Sequence, residues 1–383
     1  MGPEISGFEV KTPSESRIPN PESPLATRIR ERGPLTVAAF MELALYDPDF
    51  GYYARAAQRS GRAGDFFTSV DVGPLFGELL EVQLEEMARL IARPFDLVEA
   101  GAGNGRLSAD ILRAAKRQHP EFYDSVRLHL VEASAAARRA QEVTLAGLAE
   151  RLVSSGPLLP DSFEGVLLAN ELLDAMPVHQ VVMRGGGLRE VYVDHAGHLV
   201  EGPASTPLLA EYLDRVDARL EPGWRVEINL RAIEWIRDAA RRLRRGFLVI
   251  IDYGHDAREL YSASHSAGTL TTFSEHRSAG SEMGSDAPAW LQHPGEQDIT
   301  AHVDFTSVRA AAEAEGLTTL GFLDQTYFVM GLLPSIQNPQ SQTRSLKMLV
   351  MPGGLGSIHK VLILAKNVGT PSLKGCSYRM RVT

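Results

Sequence analysis

The stretch that decides the fold is LVEAGAGNGRLSADIL, at positions 97–112. It begins as a short apolar run that ends in Glu99, passes through Gly101, Gly103 and Gly105, and continues with helical spacing. Strand, glycine turn and helix in this order form a corner at which α/β proteins bind nucleotide-like ligands. The helix N-terminus presents free amide groups there, and glycine lets the backbone approach a ligand closely.

The spacing of the glycines separates two cofactor classes. A dinucleotide fingerprint, G-x-G-x-x-G, would need a third glycine at position 106 or 108, where the chain has Arg106 and Ser108. The observed pattern is E-x-G-x-G-x-G, which includes Ala102 and is typical of class I S-adenosylmethionine-dependent methyltransferases. We therefore predict S-adenosyl-L-methionine as the cofactor and S-adenosyl-L-homocysteine as its product. A tight strand–helix turn without a ligand is the alternative.

Two acidic residues support this prediction. Glu99 ends the strand before the turn, where a carboxylate can pair with the α-amino group of the cofactor. Glu132 ends the next predicted strand, VRLHLVE, where it can accept hydrogen bonds from both ribose hydroxyls. The glycine pattern alone is a weak signal, and the two acids at strand ends make it more specific.

Strands and helices alternate along the chain. Buried strands are predicted at 95–101, 126–132, 163–171 and 246–254, with helices between them. This alternation is typical of a parallel, doubly wound sheet. The predicted fold class is α/β: a Rossmann-like, mostly parallel sheet with an N-terminal helical segment and an inserted smaller subdomain of strands and helix.

The same patterns divide the chain into eight segments. Antiparallel β patterns interrupt the core after position 177, and a long polar stretch follows position 254. Such long irregular stretches are usually functional or disordered. The predicted segments are a flexible lead-in (1–24), a helical segment that covers the cofactor site (25–94), the first part of the core (95–177), the β/helical insertion (178–230), the return to the core (231–254), a polar substrate-site loop (255–299), the C-terminal part of the core (300–367) and a loose tail (368–383).

Composition excludes several classes of protein. The net charge of −9 argues against general nucleic-acid binding, which needs a basic surface. The single cysteine, Cys376, excludes an internal disulfide and a multi-cysteine metal site. No apolar run approaches the roughly 20 residues of a membrane span, and the N-terminus lacks a signal or transit pattern. We expect a cytoplasmic protein.

Nine motifs, in order along the chain, resemble those of one family. The chain is similar to the MidA-like family, which contains the mitochondrial complex I assembly protein-arginine methyltransferase and its bacterial relatives. It departs from the family pattern at Ala102, where proline is usual, and in the longer segment SEMGSDAPAWLQ. The matching motifs are YDPDFGYY (46–53), GDFFTS (64–69), LFGELL (75–80), EAGAGNG (99–105), NELLDAMPVHQ (170–180), REVYVD (189–194), IDYGH (251–255), GTL (268–270) and PGEQDITAHVDF (294–305).

The resemblance implies a function and a partner. It implies a protein-arginine N-methyltransferase linked to the assembly of respiratory complex I, which acts on a complex I subunit or a bacterial equivalent. A second copy of the chain, in a homodimer, is a further partner to test, and no nucleic acid is expected. The named relatives of this family are mitochondrial.

Polar residues at two neighbouring strand ends are the candidates for chemistry, because ligands of this fold bind at the carboxyl ends of strands. Glu171 follows one strand, with the cofactor-binding candidate Asn170 before it and Asp174 three residues later. Asp252 and His255 end the next core strand. Carboxylates can orient an arginine guanidinium, a charged planar fork, through paired hydrogen bonds. Glu171 is the first catalytic candidate, and Asp174, Asp252 and His255 follow; helix capping by Asp174 and simple hydrogen bonding by His255 are the alternatives.

The remaining assignments concern the walls of the site. In the family, GDFFTS packs over the cofactor, which assigns cofactor binding to Gly64, Asp65, Phe66 and Ser69. Glu227 lies in the strand WRVEINL and fits an acidic substrate pocket. The predicted substrate-binding residues are Glu227, Tyr253, Gln297 and Asp298, the last two from the resemblance alone.

A metal site is not predicted. His255, His265, His276, His293 and His302 lie in one polar region, but no pair has the i, i+4 spacing of a helix-borne zinc site. Methyl transfer from S-adenosylmethionine also needs no metal. Three alternative functions stay open: an assembly factor that binds the cofactor without turnover, a small-molecule methyltransferase and, last, a nicotinamide oxidoreductase.

Overall fold

The computed structural model describes most of the chain. The described residues are 27–28, 31, 34–54, 68–91, 94–274, 277–280, 288–336, 343–351 and 355–378. The predicted lead-in (1–24) and the candidates Gly64, Asp65 and Phe66 therefore lie outside the described residues. Parts of the predicted 255–299 loop and of the 368–383 tail lie outside them as well.

The described part contains sixteen strands. They are β1 (Leu35–Thr36), β2 (Phe95–Ala100), β3 (Val126–Val131), β4 (Leu152–Gly156), β5 (Phe163–Asn170), β6 (His179–Arg184), β7 (Gly187–Val193), β8 (Leu199–Gly202), β9 (Arg225–Ile228), β10 (Leu243–His255), β11 (Thr271–Ser274), β12 (Arg277–Gly280), β13 (Asp298–Thr300), β14 (Val303–Asp304), β15 (Thr318–Asp324) and β16 (His359–Lys366).

Helices alternate with these strands. The α-helices are α1 (Val37–Tyr46), α2 (Leu75–Ala88), α3 (Arg106–Gln118), α4 (Pro120–Ser125), α5 (Ala135–Thr144), α6 (Leu208–Arg215), α7 (Leu230–Arg242), α8 (Ala257–Leu260), α9 (Phe305–Ala314), α10 (Gln325–Leu332), α11 (Thr343–Val350) and α12 (Leu355–Ile358). Short 3₁₀ helices include Ser69–Val72 and Ala263–His265. No helix in the described ranges is both long and apolar enough to cross a membrane.

The central sheet has the strand order β15–β16–β10–β5–β2–β3–β4. The strands from β10 to β4 run parallel, and β16 is antiparallel to both β10 and β15. The carboxyl ends of β2, β3, β5 and β10 therefore meet at one edge of the sheet. This arrangement confirms the predicted α/β class with a mostly parallel, doubly wound sheet.

Both faces of the central sheet are covered by apolar side chains. Leu97 and Leu168 pack into a cluster with α2, α3 and α10, whereas their neighbours Val98 and Leu167 pack into a second cluster with α7 and α9. Side chains alternate between the two faces of a strand, so a strand buried on both faces reads as a continuous apolar run. This explains why these strands were visible in the sequence.

The antiparallel excursion predicted after position 177 forms a separate sheet. Its order is β1–β7–β6–β9, with β8 paired to β7. Strand β1 comes from the N-terminal segment and pairs with Tyr192 and Val193 of β7. Helix α1 follows directly, with Thr36 as its N-cap: the hydroxyl accepts from the Ala39 amide at 3.1 Å. The N-terminal segment is thus attached to the insertion.

Several elements differ from the sequence prediction. The region after position 254 contains β11, β12 and β13, which form a three-stranded sheet, whereas few regular elements were expected there. Helix α5 ends at Thr144, and a further parallel strand, β4, which was not among the predicted strands, follows at the sheet edge. Strand β4 has half-buried and exposed residues, so it lacks the apolar run that revealed the inner strands.

Candidate active site

A cavity of about 330 Å³ opens at the carboxyl ends of β2, β3 and β5. This volume is within the range that small-molecule sites occupy. The residues predicted from the sequence that line it are Glu99, Gly101, Ala102, Gly103, Glu132, Asn170 and Glu171. Further lining residues include Tyr46, Tyr53, Thr68, Val70, Arg106, Pro157 and Trp235.

The glycine turn supplies one wall of the cavity. Gly101, Gly103 and Gly105 have φ values of 71°, 52° and 81°, the left-handed region that glycine enters without a steric penalty. The Gly101 and Ala102 amides both donate to the Val131 carbonyl, at 2.9 and 3.1 Å, which ties the turn to β3. A Cβ on Gly103 would meet no atom within 4 Å. The turn is therefore open to a ligand at Gly103.

Glu99 lies in the wall at the end of β2. One of its oxygens, Oε2, accepts from the Ser108 amide at 3.1 Å and also from the Ser108 hydroxyl. Both bonds come from the first turn of α3 and go to the same oxygen. Burial raises the pKa of Glu99 to about 7, and the charge of Glu132 adds to the rise. The carboxylate can therefore gain a cationic partner near neutral pH.

Glu132 lies across the turn from Glu99. Its Oε2 accepts from the Gly103 amide at 2.8 Å, and its Oε1 accepts from the Ser134 amide at 2.7 Å. These bonds hold the carboxylate over the turn, within the cavity lining. An acid in this position can accept hydrogen bonds from vicinal hydroxyls.

Glu171 contributes the acidic side of the cavity. It is one of the few residues other than glycine with positive φ, at 51°, a backbone conformation that costs free energy and tends to occur at functional sites. Its amide donates to the Ile251 carbonyl at 2.8 Å, which joins it to β10. Its Oε1 accepts from Asn170 Nδ2 at 3.2 Å and from the Ser69 amide at 3.3 Å. The strained turn thus fixes the direction of the carboxylate.

A buried histidine stands behind Glu171. His359 Nε2 lies 3.5 Å from Glu171 Oε1, and Nδ1 lies 2.8 Å from the Leu355 carbonyl. Burial alone would lower the pKa of His359, but the hydrogen bond and charge of Glu171 outweigh burial and raise it. The Tyr253 ring packs on this histidine, with centroids 4.0 Å apart. Tyr253, a predicted substrate-binding residue, is thereby placed beside the pair rather than in the cavity lining.

A group of carboxylates lies beyond Glu171. Asp174 is buried, and its Oδ1 has no hydrogen-bond partner among the described residues. Burial first, and then the charges of Asp252, Asp298 and Glu171, raise the pKa of Asp174 well above its ordinary value. The Tyr53 hydroxyl, which borders the cavity, donates to Asp298 Oδ1 at 2.8 Å. We call Glu171, Asp174, Asp252 and Asp298 the acidic group.

Asp252 supports the turn that carries this group. Its Oδ2 accepts from the Leu172 and Leu173 amides at 3.1 and 2.8 Å, and its Oδ1 accepts from the Tyr253 amide at 2.9 Å. Burial and the charge of Glu171 raise its pKa to about 7. Because both oxygens are engaged by backbone and neither lines the cavity, the geometry fits a positioning residue. A direct catalytic role for Asp252 stays a prediction.

Three other candidates lie away from the cavity lining. Glu227 accepts from Gln180 and from the Thr269 amide, at 2.8 and 2.7 Å, and so anchors the 268–270 loop. Gln297 donates to the Ala289 carbonyl at 2.7 Å and stabilises a turn. His255 Nδ1 lies 3.0 Å from Glu259 Oε1. Contacts of these three residues with a substrate stay predictions.

The N-terminal cover reaches the cavity through residues that the sequence did not single out. Thr68 and Val70 line the cavity. Ser69, which the sequence predicted to bind the cofactor, lies between them outside the cavity lining, and its Oγ donates to Gln325 Oε1 at 3.1 Å. Contact between Ser69 and the cofactor stays a prediction. Asp71 pairs with Arg106, the first residue of α3, at 2.9 Å. This ion pair attaches residues 68–72, the part of the N-terminal segment next to the cavity, to the glycine turn. Its two members are 35 positions apart, so no local motif could reveal it.

The cavity fits S-adenosyl-L-methionine. It has one carboxylate at the end of β2, a second over the turn, and open space where a side chain on Gly103 would stand. Glu99 would hold the ammonium group of the amino-acid part, and Glu132 would hold the ribose. Asn170 Oδ1 is buried without a hydrogen-bond partner in the described part of the chain, so this wall can accept a further donor.

Known proteins resemble this chain along most of its length. Residues 75–323 match the family described as "Putative S-adenosyl-L-methionine-dependent methyltransferase". "Protein arginine methyltransferase NDUFAF7, mitochondrial" from Rattus norvegicus is 32% identical, with 92% of this chain and 86% of the relative covered. The protein of the same name from Homo sapiens is 31% identical, over 82% and 74%.

A solved structure resembles the fold throughout. A COG1565 superfamily member from Burkholderia thailandensis, bound to S-adenosyl-homocysteine, superposes with a TM-score of 0.80 at 29% identity. The match covers 92% of this chain and 94% of the other chain.

Proposed function

Because the chain belongs to the family of S-adenosyl-L-methionine-dependent methyltransferases, we propose that it transfers the methyl group to an arginine side chain of a protein. The family match and the fit of the cavity support the cofactor. The names of the relatives, "Protein arginine methyltransferase NDUFAF7", support the nature of the acceptor. The acidic group supplies a physical reason for that acceptor.

The observation that carries the proposal is the unpartnered oxygen of Asp174. Neither Asp174 nor Asp252 has an ion-pair partner within the described ranges, although both are buried. A buried carboxylate without a cation is unfavourable, and burial and neighbouring acids raise its pKa here. An arginine guanidinium is permanently charged and carries five N–H donors in a plane. It would satisfy Asp174 and Glu171 at once.

The residues of the chain orient the acceptor and remove its proton. When bound, S-adenosyl-L-methionine supplies an electrophilic methyl group. Glu171 and Asp174 hold the guanidinium by hydrogen bonds, so that one nitrogen faces the glycine turn. Such positioning is a large part of catalysis when two reactants must meet in one geometry. As the new N–C bond forms, the methyl–sulfur bond of the cofactor would break and S-adenosyl-L-homocysteine would leave. The attacking nitrogen loses a proton, and a carboxylate of the acidic group accepts it.

Two tyrosines that line the cavity, Tyr46 and Tyr53, also contact the region of the acidic group. Tyr46 and Tyr53 stack with ring centroids 5.4 Å apart. The Tyr46 hydroxyl donates to the Ala175 carbonyl at 2.9 Å, one residue after Asp174. Aromatic faces attract a guanidinium, so these two rings suit an arginine side chain that enters from the cavity.

We also propose the partner and the compartment. The acceptor protein is a complex I subunit or its bacterial equivalent, which the resemblance and the relatives' name suggest. The relatives are named as mitochondrial, and a cytoplasmic location stays our prediction for this chain. A homodimer also stays a prediction.

Labelling of a lysate tests the acceptor directly. The purified chain is incubated with isotopically labelled S-adenosyl-L-methionine and a cell lysate, and mass spectrometry locates the label. We expect label on arginine nitrogens with the natural chain and none with Glu171→Gln. Label confined to other residue types or to small molecules would overturn the arginine proposal. Binding of S-adenosyl-L-homocysteine without any transfer would favour an assembly factor that lacks turnover.

A further inference from the structure

Three histidines lie together at the end of β10. In the strand order of the central sheet, β10 is two strands away from β2, the strand that the glycine turn follows. His255 is the last residue of β10, His265 ends the 3₁₀ helix Ala263–His265, and His302 precedes β14. Each offers a ring nitrogen, and these nitrogens all lie within 4.8 Å of one another. The ring centroids are 4.8, 5.2 and 5.9 Å apart. None of the three lines the cavity.

The contacts of two of these rings with Glu259 indicate which nitrogen points inward. His265 Nδ1 lies 3.0 Å from the Glu259 carbonyl, so it donates there. His255 Nδ1 lies 3.0 Å from the Glu259 carboxylate. A metal-binding histidine makes such contacts with its other ring nitrogen, which orients the ring and fixes its tautomer. One residue, Glu259, provides both contacts.

The third ring is held by its backbone. The His302 amide donates to Thr269 Oγ1 at 3.0 Å, and Thr269 is bound in turn by Glu227. His302 Nδ1 is buried without a hydrogen-bond partner among the residues described. An imidazole nitrogen without a hydrogen-bond partner can donate its lone pair to a metal ion.

We propose that His255, His265 and His302 bind a divalent transition-metal ion of the zinc type. Three imidazole nitrogens are a frequent protein ligand set for zinc, which takes a fourth ligand from water or a carboxylate. At Zn–N distances of about 2.0–2.1 Å, two ligands of a tetrahedral ion are about 3.3–3.4 Å apart. Nitrogens that lie within 4.8 Å of one another therefore need to approach by at most about 1.4 Å, which rotation of the half-buried rings can provide.

The bound ion would have a structural role. It would join the end of β10, the 263–265 helix and the segment before β14. Asp298, a member of the acidic group, lies four residues before His302 in the same segment. Metal binding would thus fix the segment that carries Asp298 against the core. The proposal is independent of methyl transfer, since no step of that reaction uses the ion.

Metal titration of the full, untagged chain tests the proposal. After removal of metal by a chelator, zinc is titrated by calorimetry and cobalt by visible absorption. We expect one equivalent to bind with Kd below about 1 µM, the cobalt form to show the strong absorption of tetrahedral sites, and zinc to raise Tm. His265→Gln should weaken binding by roughly 100-fold or more, and Glu259→Gln by about 10-fold or more.

A matched control variant separates the site from adventitious binding. His293 is exposed, and its Nδ1 lies 3.8 Å from Glu296 Oε2, so His293→Gln should bind zinc like the natural chain. His265 is half-buried in a short 3₁₀ helix, so the folding of its variant can be verified by Tm without metal. Equal affinity in His265→Gln and the natural chain, or no binding below about 100 µM, would overturn the proposal.

Discussion

Glu171 Oε1 and His359 Nε2 lie 3.5 Å apart, although the two residues are 188 positions apart in the chain. Glu171 follows β5 and His359 begins β16, and β10 lies between these strands. The Leu355 carbonyl accepts from His359 Nδ1, so Nε2 is the nitrogen that faces the carboxylate. The raised pKa of His359 favours the imidazolium, whose charge attracts and directs the Glu171 side chain. We infer that His359 is a positioning residue for Glu171.

The first prediction concerns Glu171 itself. Glu171→Gln keeps the size of the side chain and its unusual backbone conformation but removes the charge that orients the guanidinium. We expect kcat for methyl transfer to fall by about 100-fold or more. The Kd for S-adenosyl-L-homocysteine should change by less than about threefold. Calorimetry and single-turnover transfer measure the two quantities.

Glu164→Gln is the matched control for this variant. Glu164 lies on the same strand but is exposed, and its nearest ion-pair contact, with Arg244, is at 4.0 Å. Transfer by the control should equal that of the natural chain. If Glu171→Gln retains full kcat, then another acid orients the acceptor, and Asp174 becomes the first candidate.

The second prediction concerns the glycine turn. Gly103→Arg places a long cation in the open space of the cavity, where a Cβ meets nothing within 4 Å. It should weaken binding of S-adenosyl-L-homocysteine by at least about 100-fold. An arginine held at the positive φ of 52° costs roughly 1 kcal/mol or more of backbone free energy in the folded state. We therefore expect Tm to fall only slightly. Calorimetry and thermal unfolding test both parts.

Gly147→Arg is the control for the backbone cost. Gly147 also has positive φ, at 78°, and open space around it, but it is exposed and does not line the cavity. This control should show a similar fall in Tm and unchanged cofactor binding. Should Gly103→Arg bind the product as well as the control does, the assignment of the turn is mistaken.

The cofactor half of the site could be predicted from the sequence because its determinants are local. The glycines, Glu99 and Glu132 all follow buried strands, and the topology of a parallel sheet brings strand ends together. In the structure, the three glycines and both acids lie around one turn. Gly105 is the exception in its direction, because it packs against Leu130 and Gln141 and does not line the cavity. Periodicity and strand ends therefore carried this part of the prediction.

The acceptor half could be predicted only in outline, because its contacts join distant parts of the chain. Tyr53 reaches Asp298 over 245 positions, and Asp252 holds the Leu172 and Leu173 amides over 80 and 79 positions. The sequence also gives no sign that Glu171 adopts positive φ. The three histidines show the same limit: an i, i+4 search fails when each ligand comes from a different segment.

The third prediction concerns pH and cofactor affinity. The pKa of Glu99 is about 7 because the carboxyl is buried, and a cationic amino group binds the ionised form. Affinity should therefore rise as pH increases through 7, by about tenfold between pH 6 and 7.5. Calorimetric titration of S-adenosyl-L-homocysteine over this range measures the effect. The range lies below the pH at which an α-amino group loses its own proton, so the ligand keeps its positive charge.

Glu99→Gln provides the control for this pH dependence. The amide has no titration in this range, so its affinity should be lower than that of the natural chain at pH 7.5 and nearly constant with pH. An equal slope in both proteins would show that another group is responsible.

The fourth prediction concerns the stability cost of the acidic group. The pKa of Asp174 is raised in the folded state by burial and by Asp252, Asp298 and Glu171, whereas an unfolded aspartate titrates near about 3.9. The folded state therefore binds more protons than the unfolded state between these two values. The stability that protonated Asp174 contributes is complete below about pH 4. It is lost as the pH rises through the pKa that Asp174 has in the folded state.

Asp174→Asn removes that loss, because the amide stays neutral at every pH. The Tm of Asp174→Asn should match that of the natural chain near pH 4 and exceed it by about 1–3 °C at pH 7.5. The rate of methyl transfer should decrease, because the guanidinium loses a charged partner. Asp161→Asn is the control, since Asp161 is fully exposed, and it should show no pH-dependent gain. If Asp174→Asn is less stable than the natural chain at pH 7.5, then Asp174 is satisfied in the folded protein, and the need for a cationic acceptor at this position disappears.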